Sequence, residues 1–369
     1  MDAEKRCLGE IPDSWQENRV AAVMSASEIS SPSVSVVIPV YNGARTIRLV
    51  LAAVYASKFP DFEVIIVNDG SGDDTAAVLD GCAAGFPFRL ITFERNMGVS
   101  RARNAGAHAA RGEIILFIDA DVLIQPDTID LCVERLNRGD CVCVGGAYTV
   151  DAWDKDFFSR FQSLYIHYVE TKNPYPDYIA THCMAIRKDV FEGYGSFIED
   201  SFIGQQASVE DVEFSHRILN AGERLTRPSY IQVTHIFRFS LVRSIRNAVK
   251  KSKYWTMYSL KNRDVTKDSG AASYELKANV STQTLNLIFV VAALATRFWW
   301  LLLPVSLLYG ANIGVNFNLF KLMLRKRGPW FLIRGLLYFQ FIYPFAVAYG
   351  SFIGTMKYLW EVKLLRRYG

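Results

Sequence analysis

Net charge is the first thing this chain has little of. Against 37 Asp and Glu it sets 41 Lys and Arg, a formal +4 over 369 residues, too small an excess to grip a polyanion such as nucleic acid. Its six cysteines, at 7, 82, 132, 141, 143 and 183, lack the paired spacing of a zinc site, and Cys141-x-Cys143 alternates as a strand does. They read as reduced thiols on the cytoplasmic side of a membrane. The charged stretch Met1 to Gly9 is followed by no apolar signal-peptide core, so the catalytic part is expected not to be exported. The dinucleotide fingerprint Gly-x-Gly-x-x-Gly is missing after the first strand, where Val40-Tyr41-Asn42-Gly43 stands, and this disfavours nicotinamide or flavin chemistry. A Gly- and Lys-rich nucleotide loop is missing there too, which disfavours a nucleotidyltransferase.

Apolar residues, by contrast, make up half of the chain, with a mean hydropathy of +0.10 and a concentration toward the C-terminus. Before that, apolar runs alternate with helical patterns. Val34 to Pro39, Glu63 to Asn68, Arg89 to Phe93 and Ile114 to Ile118 read as strands, and Cys141-x-Cys143 as part of another. Ile47, Val50, Leu51 and Val54 share one helix face over 44–57. Asp73 and Asp74 offer caps for a helix through Ala83, and Ser100 offers one for Arg101 to Ala110. Pro126 and Gly139 suit the start and end of another helix. Strands alternating with helices over short links predict an α/β fold with a mainly parallel sheet and helices on both faces. Residues 1–33 carry no periodicity and read as a flexible N-terminal segment.

The organising stretch is Glu113-Ile-Ile-Leu-Phe-Ile-Asp119-Ala-Asp121-Val122. Open α/β sheets bind ligands beyond the carboxyl ends of their strands. Two carboxylates one residue apart at such an edge suit a hard divalent cation, which takes oxygen ligands and shares them with substrate phosphates. Alone, the pair reads rather as a solvated turn. Tyr41, Asn42, Asp69, Asn96, Arg101 and Arg103 come to the same edge, however, and arginines bind phosphate bidentately. Carboxylates, a metal and arginines together suit a nucleoside diphosphate.

Five motifs occur in order: Ile38-Pro-Val-Tyr-Asn42, Asn68-Asp-Gly-Ser71, Asn96-x-Gly98, Arg101-Ala-Arg103-Asn104-x-Gly106 and Asp119-Ala-Asp121. Together they resemble the family 2 inverting glycosyltransferases of the GT-A fold, densely from Val34 to Val122 and more thinly to His235. The resemblance implies a nucleotide diphosphate sugar donor, UDP by default, and Mn²⁺ or Mg²⁺. It implies donor-binding roles for Pro39, Tyr41, Asn42, Asp69, Asn96, Arg103 and Asp119. Tyr41, Asn42 and Asp69 would lie around the base, Arg103 near base or diphosphate, and Asp119 at the ribose or the metal. Asp121 would bind the metal, and His235 occupies a place where some members put a metal or phosphate contact. Glu210-Asp211 resembles the acidic acceptor-side pair, with Asp211 the expected general base and Glu210 or Glu213 its substitute. Inversion by one displacement needs such a group, since the incoming hydroxyl must lose a proton. Tyr178 to Arg187, with Thr181-His-Cys183, is expected to line the acceptor side, and the aromatics from Phe157 to Tyr178 to form core. The Gln-x-x-Arg-Trp motif of processive synthases is absent, which favours addition of a single sugar.

Arg243, Arg246, Lys250, Lys251, Lys253, Lys261 and Arg263 form a basic segment just before the apolar tail. Such a run is attracted to an anionic membrane surface, or grips a lipid phosphate. Leu285 to Val315, broken by Arg297, and Trp330 to Trp360 each exceed the roughly 20 residues of a spanning helix. Trp299, Trp300, Trp330 and Trp360 suit the membrane interfaces. Basic clusters at 321–334 and 363–367 would stay cytoplasmic by the positive-inside rule, giving each apolar region an even number of crossings, the first as a hairpin broken at Arg297 or as partly re-entrant helices, with an odd crossing of the second as the alternative.

The expected organisation is therefore a flexible segment 1–33, a GT-A domain 34–240, a basic juxtamembrane segment 241–283 and membrane-anchoring helices 284–369. The catalytic domain would face the cytoplasm on the inner membrane, and the acceptor would be lipid-linked or a glycolipid. The alternative is a non-catalytic membrane-bound scaffold or regulator that binds a nucleotide sugar.

Overall fold

In the computed structural model, residues 32–199, 209–270 and 272–368 are described. Cys7 and nearly all of the expected N-terminal segment lie outside them. The order is β1 (Val34–Val40), α1 (Ile47–Tyr55), β2 (Phe62–Asn68), α2 (Thr75–Cys82), β3 (Arg89–Thr92), α3 (Val99–Ala109), β4 (Ile114–Ile118) and β5 (Val122–Ile124). There follow α4 (Thr128–Asn137), β6 (Cys143–Gly145), β7 (Ala147–Tyr148), α5 (Phe157–Thr171), β8 (Cys183–Arg187), α6 (Lys188–Gly193), α7 (Glu210–Asn220), β9 (Leu225–Thr226) and β10 (Gln232–His235). The rest is helical: α8 (Leu241–Asn262), α9 (Tyr274–Thr296), a 3₁₀ turn Trp299–Leu301, α10 (Leu302–Val315), α11 (Phe317–Arg327), α12 (Pro329–Phe341) and α13 (Tyr343–Tyr368).

The main sheet runs β3-β2-β1-β4-β8-β6-β9. Its β1–β4 members pair in parallel, and β8 alone runs against its neighbours β4 and β6. The expectation of a mainly parallel sheet holds because short βα links recross in one direction. A second sheet, β5-β10-β7, was not foreseen; β5 and β7, with three and two residues, show too few alternations to be read from a sequence.

Strand side chains alternate between two faces. Val37, Ile65, Val67, Ile115, Phe117, Met184 and Ile186 form one buried cluster with Ala102 and Ala107 of α3, Phe191 of α6, and Phe214 and Ile218 of α7. On the other face Cys132 of α4 lies beside Cys183 of β8. The described cysteines are all free and buried. Helix α3 begins two residues earlier than expected, and Ser100, the expected cap, sits inside it with its hydroxyl unpartnered.

Small residues let α3 lie close on the sheet. A Cβ on Gly106 would fall 2.3 Å from Val37 Cγ1 and 3.2 Å from Val67 Cγ2. Gly106→Val is therefore expected to destabilise the fold by about 2 kcal/mol or more through overpacking. Thermal denaturation of the detergent-solubilised protein would record this; an unchanged midpoint would disprove the close fit.

Among the described residues, 32–154, 170–199 and 210–237 form one compact unit, and 155–169, 209 and 238–368 another. The expected single domain 34–240 is thus corrected: most of α5 belongs with the C-terminal helices. The reason is aromatic. Phe157 packs on Phe331, Phe161 on Tyr338, and Tyr165 on Phe339 and Tyr343, so these side chains are core, as expected, but of the helical unit.

That unit is also tied by buried amides. Asn312 Nδ2 donates to Asn279 Oδ1 (2.9 Å), Asn279 Nδ2 to the Phe339 carbonyl (2.7 Å), and Gln340 Nε2 to Asn312 Oδ1 (3.0 Å). Interhelical amide bonds of this kind hold apolar helices in register. Helix α8 lies against α13 where Cβ atoms on Gly350 and Gly354 would strike the Val249 and Lys253 carbonyls at 2.4 and 2.3 Å.

Among the described residues two spans are long and apolar enough to cross a membrane, Tyr274–Thr296 and Pro329–Glu361. The bent pair Trp299–Val315 and Phe317–Arg327, at 62°, would make a third if it acts as one span. Arg297, in the left-handed conformation at φ 56, ends α9 where the break was expected. The second region, a single candidate span of 33 residues by length and composition, fits the odd crossing that the sequence left open for it, since two crossings would need about 40. Pro344 is accommodated because it falls in the first turn of α13, where its missing N–H costs nothing.

Candidate active site

The site is built at the carboxyl edge of the parallel strands. At the end of β1, Tyr41 is 53% exposed and Asn42 takes a left-handed conformation at φ 53. The Asn42 N–H donates to Ser71 Oγ, and its Oδ1 accepts from the Gly72 N–H, both at 2.9 Å. These bonds tie the loop after β1 to the loop after β2. Pro39 is buried within β1 itself.

At the end of β2, Asp69 is buried and its carboxylate accepts the N–H groups of Met97 (2.6 Å) and Gly98 (3.0 Å). It thereby shapes the turn into α3 and leaves Asn96 exposed at the edge.

Arg103, on α3, is 4% exposed and sits between two acidic groups. Its Nη2 donates to Asp119 Oδ1 at 2.7 Å and its Nη1 to Glu210 Oε1 at 2.5 Å. Burial alone would raise the Asp119 carboxyl, but the adjoining guanidinium outweighs it and holds Asp119 below the usual carboxylate range. Asp119 keeps 32% of its side chain exposed beside this contact. Arg101 is engaged elsewhere: its Nε donates to Glu199 Oε2 at 2.8 Å, and Asn104 Nδ2 donates to Glu199 Oε1 at 2.9 Å.

Asp121 and His235 meet across the β5–β10 pair, with His235 Nε2 3.5 Å from Asp121 Oδ1. The Asp121 carboxyl is pushed up by burial and by Asp119, against the pull of His235, yet 45% of the side chain is open. His235 is stacked on Phe237 at 3.9 Å and met edge-on by Tyr148 at 5.1 Å, and its Nδ1 is buried without a partner. Among the described residues no three His, Cys, Asp or Glu converge to hold a metal by themselves. An open carboxylate and a fixed imidazole nonetheless fit a divalent cation whose remaining ligands come from a diphosphate.

Asp211 opens α7 beside Glu210, its Oδ1 accepting the Val212 N–H at 2.8 Å. Burial, reinforced by the Glu210 carboxylate and partly offset by Arg103, pushes its carboxyl up to about 7. A carboxylate raised this far is a stronger base than an ordinary one.

One placement differs from expectation. Thr181, His182 and Cys183 are buried rather than lining an acceptor surface, because Cys183 opens β8 and pairs with Ile118 of β4. A further residue, Glu170, was missed, and it joins His182 beneath the carboxylates. His182 lies against Tyr148 at 4.1 Å, with Nε2 3.1 Å from the Gly146 carbonyl, while Glu170 Oε2 accepts the Tyr148 N–H at 2.9 Å. Burial lowers the His182 pKa, so the ring is a neutral wall beneath the carboxylates. Nothing around Glu170 in the sequence marks it, since it sits inside an ordinary helical run. A shallow polar depression of about 460 Å³, lined by Gln125, Asp127, Tyr230 and Gln232 among others, lies at the far end of β5 from Asp121 and outside this cluster.

The family model described as Glycosyl transferase family 2 matches residues 35–195, which hold Asp69, Arg103, Asp119 and Asp121. This is a family 2 glycosyltransferase domain. Among curated relatives, the poly-beta-1,6-N-acetyl-D-glucosamine synthase of Staphylococcus epidermidis is 32% identical over 121 residues, 33% of this chain and 29% of that protein. The succinoglycan biosynthesis protein ExoO of Rhizobium meliloti is 38% identical over 107 residues, 28% of this chain and 30% of that protein. The matched stretch thus spans less than a third of either relative. Among solved structures, the mannosyltransferase PcManGT from Pyrobaculum calidifontis, determined with GDP-Man and Mn²⁺, superposes with a TM-score of 0.55 at 16% identity, covering 98% of this chain and 97% of that one. That likeness shows a GT-A fold for the glycosyltransferase domain.

Proposed function

We propose that the protein transfers one sugar, with inversion, from a nucleotide diphosphate sugar to a lipid-linked or glycolipid acceptor at the cytoplasmic face of the inner membrane. The observation that carries this reading is the joining of two acidic motifs, distant in sequence, into one cluster: Asp119 and Glu210 on a single guanidinium, with Asp121 and Asp211 beside them. A binding module has no need of the second motif.

In this reading Pro39, Tyr41, Asn42, Asp69 and Asn96 form the wall for base and ribose, and Asp119 meets the ribose or the cation. Asp121 and His235 hold Mn²⁺ or Mg²⁺. When bound, the cation stabilises negative charge on the leaving diphosphate. Asp211 accepts the proton of the acceptor hydroxyl as its oxygen bonds to the anomeric carbon and the anomeric bond to the diphosphate breaks. The membrane part of the proposal is supported by the two apolar spans, by the cations of α8 and by Lys321, Arg325, Lys326 and Arg327 at the end of α11.

His235→Ala is expected to raise the Mn²⁺ concentration for half-maximal activity about tenfold, the lower end of what disturbing a metal's surroundings costs. An unchanged Mn²⁺ titration would remove His235 from the site.

The deciding assay takes detergent-solubilised full-length protein, Mn²⁺ and a panel of UDP- and GDP-sugars, and scores nucleoside diphosphate release with and without a lipid extract. Release from one donor, stimulated by lipid, is expected. Binding without release from any donor would favour the scaffold alternative. Release indifferent to lipid would argue against a membrane acceptor.

A further inference from the structure

We infer that Arg103 links the two halves of the site, so that occupancy at Asp119 and the placement of the Glu210–Asp211 pair depend on each other. The inference rests on the reading above, in which Asp119 serves the donor and Glu210–Asp211 the acceptor. A residue assigned to the donor nucleotide would turn its guanidinium outward. Arg103 instead is buried, with one Nη on Asp119 and the other on Glu210. Close packing of α3 holds it there, through Ala102, Ala107 and the bare Cα of Gly106.

The cluster is incompletely satisfied. Arg103 Nε and Glu210 Oε2 are both buried without a hydrogen-bond partner. A static strut would be expected to close its bonds, since each unpaired buried polar atom costs stability. An unpaired donor and an unpaired acceptor in contacting side chains leave room for a second arrangement of the same groups. The charge balance points the same way. One guanidinium faces two carboxylates, and Asp119 is open enough to be claimed by an incoming ligand. Whatever draws Asp119 away leaves Arg103 to Glu210 alone, and whatever neutralises Glu210 leaves Arg103 to tighten on Asp119. Coupling of this kind is reciprocal. Arg103 is a positioning residue here, acting on both acidic groups without touching the reacting atoms.

The test measures binding of Mn²⁺-UDP and Mn²⁺-GDP to the full-length protein in detergent, without any acceptor. Glu210→Gln lies on the acceptor side, so a merely local role leaves nucleotide affinity unchanged. Linkage through Arg103 instead weakens it about fivefold or more, the lower end of ordinary coupling between sites. The same Glu210→Gln change in an Arg103→Lys background is expected to have no further effect, because an ammonium cannot fork between two carboxylates. An unchanged Kd in Glu210→Gln, or an equal shift in both backgrounds, overturns the inference. Should Arg103→Lys lose its thermal transition, Glu210→Asp decides: the shorter carboxylate must also weaken nucleotide binding, and unaltered binding overturns the linkage. If the unsubstituted protein binds neither nucleotide, the donor-site reading itself fails, and the linkage falls with it.

Discussion

Asp211→Asn is expected to lower kcat about a thousandfold, within the range that a positioned general base supplies, while leaving Mn²⁺-dependent nucleotide binding in place. The substitution keeps the shape and removes only the ability to take a proton. A pH profile sharpens the expectation. Burial and the Glu210 carboxylate push the Asp211 carboxyl up to about 7. A base acts only when ionised, so kcat/KM should fall with unit slope as the pH drops below about 7 and level off above it. In Asp211→Asn the residual rate should lose that limb. A profile already flat down to pH 5 in the unsubstituted protein would transfer the role to another group, with Glu213 in the first turn of α7 the next in line.

Asp121→Ala is expected to act on the opposite half of the site. It removes the open carboxylate that faces His235 Nε2 at 3.5 Å. Nucleoside diphosphate binding should become insensitive to EDTA and weaken at least about tenfold, since even the outer partners of a metal site cost that much when removed. Turnover should vanish with it. Calorimetry with Mn²⁺-UDP and Mn²⁺-GDP, run with and without EDTA, reads both effects. Binding that keeps its full EDTA sensitivity in the variant would take Asp121 out of the metal site. The two variants separate cleanly: Asp211→Asn binds without turning over, and Asp121→Ala fails to bind.

Much of the donor half was legible because its signals are local. Buried strands ending in polar residues place those residues at one sheet edge, and Asp69, Asp119 and Asp121 are where that rule puts them. The break at Arg297 and the basic faces of α8 and α11 follow from composition and spacing over a few residues. Arg103 shows the limit of such reading. Its place on α3 could be read, and an arginine at that edge suggests phosphate. Its partner Glu210 lies 107 residues away, and no pattern along the chain announces that pairing. His182 and Glu170 are similar cases, ordinary by sequence and drawn together beneath the carboxylates only by β8 and α5.

The sequence by itself determined the α/β class, the direction of most of the strands, the acidic edge and the existence of two apolar regions, because each rests on the period and chemistry of neighbouring residues. Tertiary structure alone decided that α5 packs its aromatic face with the C-terminal helices, that Thr181 to Cys183 is core, and that one buried guanidinium joins the two acidic motifs. Those outcomes depend on contacts between residues far apart in the chain. Side chains there choose partners by burial and charge rather than by spacing.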